Sequence, residues 1–580
     1  MTGIGCASVK RRTIPANGWE ISVVRDPIIR KVLAARGIES ASDLDLSLAG
    51  LEHYRTLKGI DEASEMLSAA VRGGKRIVVV GDYDVDGATS TALAVLALRE
   101  MGASYVSFYM PDRVTMGYGL SVSIVEELAS GSERADLIVT VDNGITSVDA
   151  VKRAHELNVA VIITDHHLAG SEIPKADAIV NPNQPGCQFA SKYAAGVGVI
   201  FYVVSALRAK LKDCGWFESS GIAYPNLGNY LDLVAVGSLA DVVPLDKNNR
   251  ILIKAGIEKI RNGRGRLCFD RILEVSRKSF SRVTEGEICC NITPVLNAAG
   301  RIDNMSLGVH CLMSDNPEEV AVLVSELMCI NDERREMEAA MRDTALAAVS
   351  KVGANGGNSI VAYDPSFHQG IIGLVASRLK DSSFLPSVVF ADAEPGFVRG
   401  SARSVTGLNI KLALDKAFET HPGTIVRYGG HAMAAGMTVA KDKLGDFKKA
   451  LSEAISELLA GELPDASLLS DGELPPDRLT VAFYDELISY GPWGSRFEFP
   501  IFDGVFDIAA VKIIKDRHLR LTVIPVRGGY EQTAMSFNLA NVQKYASLVG
   551  SRVRMCYRLD VNEWRGERSL TLIIESLHPF

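Results

Sequence analysis

At 580 residues, with 47% hydrophobic and 23% charged side chains, the chain has apolar material for several cores and about four domains by length. This composition excludes a disordered or fibrous protein, and no apolar run reaches the ~18 residues that a membrane helix needs. The net charge of −8 neither advertises nor excludes nucleic acid, because a local basic channel matters more than the total.

Residues 1–50 are mixed, with one short helix expected from Asp26-Pro27 to Arg36. Lys10, Arg11 and Arg12 have no apolar segment behind them, so no signal peptide is expected. An α/β region follows over 51–310. Ile77–Val80 is short, continuous and β-branched, the pattern of a buried parallel strand, and it ends in Gly81-Asp82-Tyr83-Asp84-Val85-Asp86-Gly87. Ala88 to Arg99 reads as a helix with Thr89, Ser90 and Thr91 at its start. The pattern recurs. Asp136–Val141 ends at Asp142-Asn143-Gly144, Val159–Thr164 ends at Asp165-His166-His167, and the apolar segment Leu231–Gly237 leads into Ser238-Leu239-Ala240-Asp241. A doubly wound sheet brings such strand ends together along one edge, where open α/β sheets bind ligands.

Asn316-Pro317-Glu318-Glu319 starts a helix well, with Asn316 as N-cap and Pro317 at the first helical position. It runs without a breaker to about Ser350, and its charged second half (Asn331 to Glu336) points to a connector between domains, assigned to 311–352. A second α/β region occupies 353–460, with a strand over Ser359–Tyr363 and a helix containing Gly370–Arg378. A proline-bearing linker over 463–476 opens the last domain, 461–580. Its strand-like stretches, Val511–Ile514, Leu519–Val526, Arg552–Arg558 and Ser569–Ile574, predict a small OB-like β-barrel. Nine scattered cysteines without a CxxC spacing predict reduced thiols, hence a cytoplasmic protein.

Asp82, Asp84 and Asp86 fall within five residues, and three anions so close repel one another. A divalent cation makes such a cluster tolerable. Carboxylates with imidazole suit Mn²⁺ or Mg²⁺, and a pair of such ions forms a phosphoester-cleaving site. Taken singly, Asp82 or Asp142 serves equally well as a helix N-cap. No serine, cysteine or histidine nucleophile arrangement is evident, so water is the expected nucleophile.

The ordered set of Gly81–Gly87, Val141–Gly144, Asp165-His166-His167 and Ala240-Asp241 resembles the motifs of the DHH phosphoesterase superfamily. Gly429–Gly436, with His431, resembles the glycine-histidine motif of its accessory domain, DHHA1. Leu296-Asn297-Ala298-Ala299-Gly300-Arg301, Gly400-Ser401-Ala402-Arg403-Ser404 and the barrel-like tail are similar to its single-strand-specific DNA exonucleases. The resemblance implies a DHH doubly wound parallel-sheet domain, a long connector helix, a DHHA1 domain and a C-terminal OB-fold. It implies 5′→3′ digestion of single-stranded DNA to mononucleotides with Mn²⁺ or Mg²⁺, in recombination and mismatch repair. A single-strand-binding protein and a RecQ-type helicase are the implied partners of a monomeric enzyme.

By the same resemblance the metal ligands are Asp82, Asp84, Asp142, His166 and Asp241. Asp142, between the other clusters, is the choice for a bridge. Asp86 is expected to support the ligands, Asp165 to orient the histidines, and His167 to meet the scissile phosphate. Arg113 is assigned to DNA, Arg301, Ser401 and Arg403 to an end-recognising pocket, where an arginine fork grips phosphate, and His431 to a substrate phosphate. Arg378 is read as structural. Arg517, His518, Arg520, Tyr557, Trp564 and Arg565 mix charge and rings in a way that suits sequence-tolerant stacking, although strand packing explains any one of them as well. Two departures from the pattern are Met116, where relatives place an acid, and Gly491–Pro500, which follows the glycine-proline-aromatic-glycine pattern loosely. Every expected ligand precedes residue 242 and the clamp precedes 432, so the tail is expected to capture long strands and not to serve the chemistry. The competing readings are a DHH-type phosphodiesterase acting on cyclic dinucleotides, very short RNAs or pyrophosphate, which would not need the tail or the Arg301 segment, and a non-catalytic DNA scaffold, which would not need intact acidic motifs.

Overall fold

The computed structural model describes residues 8–580 except 16–20, 22, 114–116, 352–356, 461–466, 540–541 and 565. The chain forms two compact units. One comprises Ser42–Arg334 with Gly491–Glu498, and the other Met1–Ala41, Arg335–Tyr490 and Phe499–Phe580.

The first unit is built on five parallel strands, β1 (Arg76–Val80), β2 (Tyr105–Tyr109), β3 (Leu137–Val141), β4 (Ala160–Thr164) and β5 (Ala178–Val180). They lie in the order β2-β1-β3-β4-β5. Every residue of β3 is buried, as expected for a central parallel strand covered on both faces by helices. The order reverses at β1, so the ends of β1, β3 and β4 open onto the topological switch point. Val78, Val80, Ile138, Val161 and Ile163 form one side of the core with Leu120, Ile124 and Val151.

Helix α1 (Val85–Glu100) begins three residues earlier than the sequence indicates. Asp84 is its N-cap and accepts a hydrogen bond from Gly87 N–H at 3.0 Å, so Asp86 and Gly87 lie in the first turn of the helix. Helices α2 (Gly196–Asp213) and α3 (Leu231–Ala240) pack beside it, and α4 (Lys247–Arg261) packs on α3. The Leu231–Gly237 segment is therefore a helix and not a strand. Leu231 to Leu239 are all buried, so the segment is apolar on every face and shows no helical period. Gly256 of α4 admits the close crossing, since a Cβ there would lie 2.1 Å from Leu231 O. Helix α5 (Thr293–Ile302) precedes α6 (Pro317–Lys351), a single 35-residue helix about 50 Å long at 1.5 Å per residue. Asn316 Oδ1 accepts from Glu318 N–H at 2.9 Å, as the sequence predicts for its N-cap, and the boundary between the units falls inside this helix.

In the second unit the strands β6 (Ile360–Tyr363), β7 (Ser387–Asp392), β8 (Phe397–Arg403), β9 (Ile425–Gly430) and β10 (Ala434–Ala440) form a mixed sheet, ordered β9-β10-β8-β7-β6. Helix α7 (Ile372–Ser383) follows β6, and α8 (Ile410–Thr420) and α9 (Leu444–Leu458) share a core with Phe390, Val398 and Met437. Arg378 Nε donates to Glu338 Oε1 on α6 at 2.8 Å, in keeping with a structural role.

The tail forms β11 (Phe502–Ile514), β12 (His518–Pro525), β13 (Gln532–Ser536), β14 (Arg552–Trp564) and β15 (Glu567–Pro579). Because β11 pairs with both β12 and β14, the five strands close into a barrel with one parallel pair, β13 with β15. The sequence pattern misses β13, displaces β12 by one residue and shortens β11, β14 and β15; the missed start of β11 is buried, with Phe502, Phe506 and Ile508 in the core. The N-terminal helix Pro27–Ala34 starts where expected, with Asp26 Oδ1 accepting from Ile28 N–H at 2.7 Å. Every described cysteine is a free thiol.

Candidate metal centre

The first unit gathers all the expected carboxylates and both histidines. Asp82 and Asp84 lie in the turn from β1 to α1, Asp142 follows β3, and Asp165, His166 and His167 follow β4. Asp241 caps the carboxyl end of α3. Three overlapping groups bring their ligand atoms within 4.8 Å of one another: Asp82, Asp84 and Asp142; Asp142, His166 and His167; and Asp86, His166 and Asp241. Asp142 links the first pair of groups and His166 the second pair.

Local structure fixes each side chain. Asp142 has φ +61, an uncommon conformation for a residue with a Cβ, and is 2% exposed. The neighbouring Asn143 amide donates to Val80 O (3.0 Å) and Val141 O (2.9 Å), tying the ends of β1 and β3 together. Asp165 Oδ1 accepts from the backbone N–H groups of His166 (2.7 Å) and His167 (3.0 Å) and from His167 Nδ1 (2.8 Å), which is the orienting role read from sequence. Asn183 and Asn181 amides donate to the carbonyls of His166 and His167. The Asp82–Asp84 turn is braced by α5: Asn297 Oδ1 accepts from Val85 N–H at 3.1 Å, and a Cβ on Gly300 would stand 1.7 Å from Tyr83 O.

The electrostatics are those of a site built for cations. Asp82 Oδ1 and Asp142 Oδ1 are buried and accept no hydrogen bond among the described residues. Burial, and then Asp84, push the Asp82 carboxyl well above its ordinary value. Burial, with Asp86 and Asp84 beside them, does the same to Asp142 and Asp241. Asp86 is pushed up to about 7 by burial and Asp84. His167 is raised to about 9: burial opposes its charge, but the Asp165 hydrogen bond together with the charges of Asp165, Asp241 and Asp82 outweighs it. Hard oxygen donors crowded at this density, with one imidazole between them, fit Mn²⁺ or Mg²⁺.

Asp86 has a second task. Its Oδ2 accepts from Gly196 N–H (2.7 Å) and its Oδ1 from Val197 N–H (2.9 Å), so it caps the amino end of α2, which has no cap of its own. Its Oδ2 nonetheless lies 3.9 Å from His166 Nε2. Tyr118, which sequence reasoning passed over, donates from its hydroxyl to Asp142 O at 3.1 Å and stands 3.0 Å from His167 Nδ1. Its place beside Gly117 and Gly119, two residues with φ near +80, was the available signal. Arg113 lies over the Tyr83 ring at 4.7 Å, and Arg301 ends α5 beside the same tyrosine, so both expected DNA contacts flank the metal turn. Met116 lies outside the described residues.

Ser401, Arg403 and His431 fall in the second unit. Arg403 Nη1 donates to Ser401 Oγ at 2.9 Å, and both groups crowd Gly373, where a Cβ would lie 2.8 Å from Arg403 Nη2 and 3.1 Å from Ser401 Oγ. Gly373 is in the first turn of α7, whose amino end has no side-chain cap. A guanidinium, a hydroxyl and a helix amino end thus converge on one spot, an arrangement that favours an anion. His431 sits exposed in the β9–β10 hairpin, next to Ala434, the register partner of Arg403.

In the barrel, Tyr557 is fully buried against Phe502 and Phe506, so it packs the core and offers no stacking face. Lys512 and Arg520 are exposed and directly paired across β11 and β12. His518 meets the Phe537 ring and Arg517 donates to it. Arg565 and the Trp564 side chain lie outside the described residues. Gly491–Glu498, inside the region assigned to the tail, groups with the unit that holds the metal centre, whereas Phe499–Phe580 groups with the other unit.

Comparison with known proteins bears on the whole chain. Residues 76–238 match the DHH family N-terminal domain, 356–457 the DHHA1 domain and 470–576 the RecJ OB domain. The sequence is 43% identical to the single-stranded-DNA-specific exonuclease RecJ of Dickeya dadantii (95% of this chain, 96% of that protein) and 42% identical to that of Escherichia coli K12 over the same shares. The fold is similar to RecJ of Thermus thermophilus in complex with Mn²⁺, with a TM-score of 0.80 at 28% identity, over 99% of this chain and 80% of that one. The Mg²⁺ complex of the same protein gives 0.74 at 26% identity, over 99% and 79%.

Proposed function

The chain belongs to the RecJ family of DHH phosphoesterases, and from that premise we propose that it is a divalent-metal-dependent exonuclease that hydrolyses single-stranded DNA. The observation that carries the reading is the placement of Asp142 between two ligand groups, Asp82 with Asp84 on one side and His166 with His167 on the other. One residue so placed suits a bridge between two ions. Asp82, Asp84, Asp142, His166 and Asp241 would hold them. Mn²⁺ or Mg²⁺ bound there supplies charge neutralisation on the phosphodiester and activation of the attacking water.

The chain's own groups do the rest. His167, kept protonated by Asp165, carries a positive charge at the rim of the cluster and is placed to hold a non-bridging phosphate oxygen. Tyr118 keeps that ring and the Asp142 backbone in one orientation. Arg113 and Arg301 bring charge to the side of the metal turn. We assign Arg403, Ser401 and the amino end of α7 to a terminal phosphate of the strand, with His431 at its edge, and the exposed Lys512–Arg520 pair of the barrel to the strand further out.

The direction of digestion, 5′→3′ with release of 5′-mononucleotides, is part of the proposal, as are recombinational and mismatch repair, a cytoplasmic monomer, and work beside a single-strand-binding protein and a RecQ-type helicase. The division into a catalytic region 51–310, a connector 311–352, an accessory domain 353–460 and a barrel 461–580 goes with it. Among the described residues, no helix is long and apolar enough to cross a membrane. The test is digestion of single strands labelled at either end, with and without Mn²⁺. Metal-dependent loss of the 5′ label first, with duplex DNA and a cyclic dinucleotide left intact, is the expected result. Release from the 3′ end would overturn the polarity, and preference for the dinucleotide would overturn the substrate class.

A further inference from the structure

Asp241 is the one expected ligand that no strand delivers. It ends α3, and the chain must then reverse to reach α4. The reversal occurs at Val242, whose φ is +58 and which is 66% exposed. A β-branched residue in the left-handed region is strained, and its own exposed side chain offers nothing to hold it there. The constraint comes from further along. Asn249 Nδ2 donates to Pro244 O at 2.9 Å, and Leu245 N–H donates to Ser495 O at 2.8 Å. The buried Leu245 side chain also lies against Gly494, where a Cβ would be 2.8 Å from Leu245 Cδ1.

Ser495 and Gly494 belong to the Gly491–Glu498 segment, and that segment is stiff. Gly494 and Phe497 exchange both backbone hydrogen bonds, at 2.9 and 3.0 Å. The rings of Trp493 and Phe497 stack at 4.9 Å, and both residues are buried. Phe497 carries the buried Arg250 guanidinium of α4 at 3.9 Å over its ring. Trp493 N–H donates to Glu285 Oε1 at 3.1 Å, and Arg496 Nη1 to the Tyr193 hydroxyl at 2.8 Å. The strap is thus anchored on α4, on the segment before α5 and on the approach to α2, with the Val242–Leu245 return clamped between it and Asn249.

We propose that Trp493 and Phe497 are positioning residues of the metal centre: by clamping the Val242–Leu245 return, the strap sets the place of Asp241, so that cation affinity depends on a piece of the C-terminal region. The inference rests on the reading of Asp241 as a ligand. It goes beyond that reading in giving the tail a share in the chemistry.

The experiment uses the full chain carrying Trp493→Ala, Trp493→Phe or Asp241→Asn, with Mn²⁺ binding followed by electron paramagnetic resonance in the absence of DNA, and kcat and KM measured against Mn²⁺ concentration. Groups that orient a ligand typically weigh 10–100-fold on metal affinity. Trp493→Ala is expected to raise the Mn²⁺ concentration for half-saturation about tenfold, with kcat restored at saturating Mn²⁺, KM for DNA nearly unchanged, and Trp493→Phe close to the parent. Gly494→Val covers the case in which loss of the indole prevents folding. It keeps both rings but pushes on Leu245, and the same Mn²⁺ shift is expected. If Asp241→Asn weakens Mn²⁺ binding while folded Trp493→Ala and Gly494→Val do not, the strap only packs and the proposal fails. If Asp241→Asn leaves Mn²⁺ binding unchanged, the ligand reading fails and takes the proposal with it.

Discussion

His166 Nε2 lies 3.0 Å from Asp142 Oδ1, although the two side chains leave different strands. Val141 and Thr164, the last residues of β3 and β4, are register partners, so the residues just beyond them emerge side by side. Parallel pairing alone would place Asp142 beside Asp165. The hydrogen bonds of Asp165 to the two histidine N–H groups turn the chain so that His166 faces Asp142 instead. The contact pairs an imidazole with a carboxylate oxygen that accepts no aligned hydrogen bond among the described residues, the preparation expected for a shared cation.

Asp142→Ala should lower cleavage by at least about a thousandfold, on the scale of losing a principal electrostatic group, and leave the fold and much of the DNA binding intact. Single-turnover digestion in Mn²⁺ with the purified variant checks this. A rate near that of the parent protein would remove Asp142 from the centre.

Asp86→Ala should destabilise the protein as well as impair it, because Gly196 and Val197 would lose their acceptor at the amino end of α2. The expected cost is about 1–3 kcal/mol for the buried donors left unsatisfied, seen as a lower thermal midpoint than that of the parent protein in the absence of metal. An unchanged metal-free midpoint would mean that Asp86 does not hold the amino end of α2.

The raised carboxyls set the response to pH. Asp86 near 7, with Asp82, Asp142 and Asp241 above their ordinary 3.8, means that the metal-free fold keeps protons which the unfolded chain surrenders near pH 4. Raising the pH from about 4 through 7 therefore costs the metal-free fold stability. His167 acts in the same sense, since a histidine raised to about 9 loses its contribution as pH climbs from its ordinary 6.5 through 9. Cation binding needs the carboxylates ionised. Mn²⁺ should thus raise the thermal midpoint more at pH 7.5 than at pH 5, by calorimetry; an equal or larger gain at pH 5 contradicts the charge assignment.

Arg403→Ala should erode the preference for a 5′-phosphorylated end more than it slows the chemical step. The motive is the convergence of Arg403, Ser401 and the uncapped first turn of α7. Rates on 5′-phosphate and 5′-hydroxyl oligonucleotides decide it, and an unchanged ratio rejects the clamp.

Lys512→Glu with Arg520→Glu should raise KM for long single strands more than for very short ones. Two lost phosphate contacts should flatten the slope of log affinity against log salt by about 1.4, at ~0.7 per contact on single strands. Equal losses at every length would mean that these exposed residues do not touch DNA. Tyr557 is not a suitable probe, because it is buried and its removal would empty the barrel core.

The sequence by itself determined the sheet domain and its metal-binding edge. Ile77–Val80, Leu137–Val141 and Val161–Thr164 are short, buried and rich in β-branched residues, each is followed within two residues by its acids or histidines, and that order is local. The N-cap at Asn316 and the unbroken run behind it likewise announced the long helix. Tertiary structure decided the rest. Leu231–Gly237 is apolar on every side because helices cover it on every side, which erases the period that would have marked it as helical. Asp86 reads from sequence as a support for the ligands, but its two donors come from α2, more than a hundred residues away, and no local pattern announces them. Tyr557 looked like a stacking ring until strand register turned it inward. The strap left the weakest trace, because a Trp and a Phe among glycines signal burial without naming the surface that buries them. Local pattern records the period of an element and the chemistry at its end; which distant surface completes it is a matter of packing, and packing is settled only when the whole chain has folded.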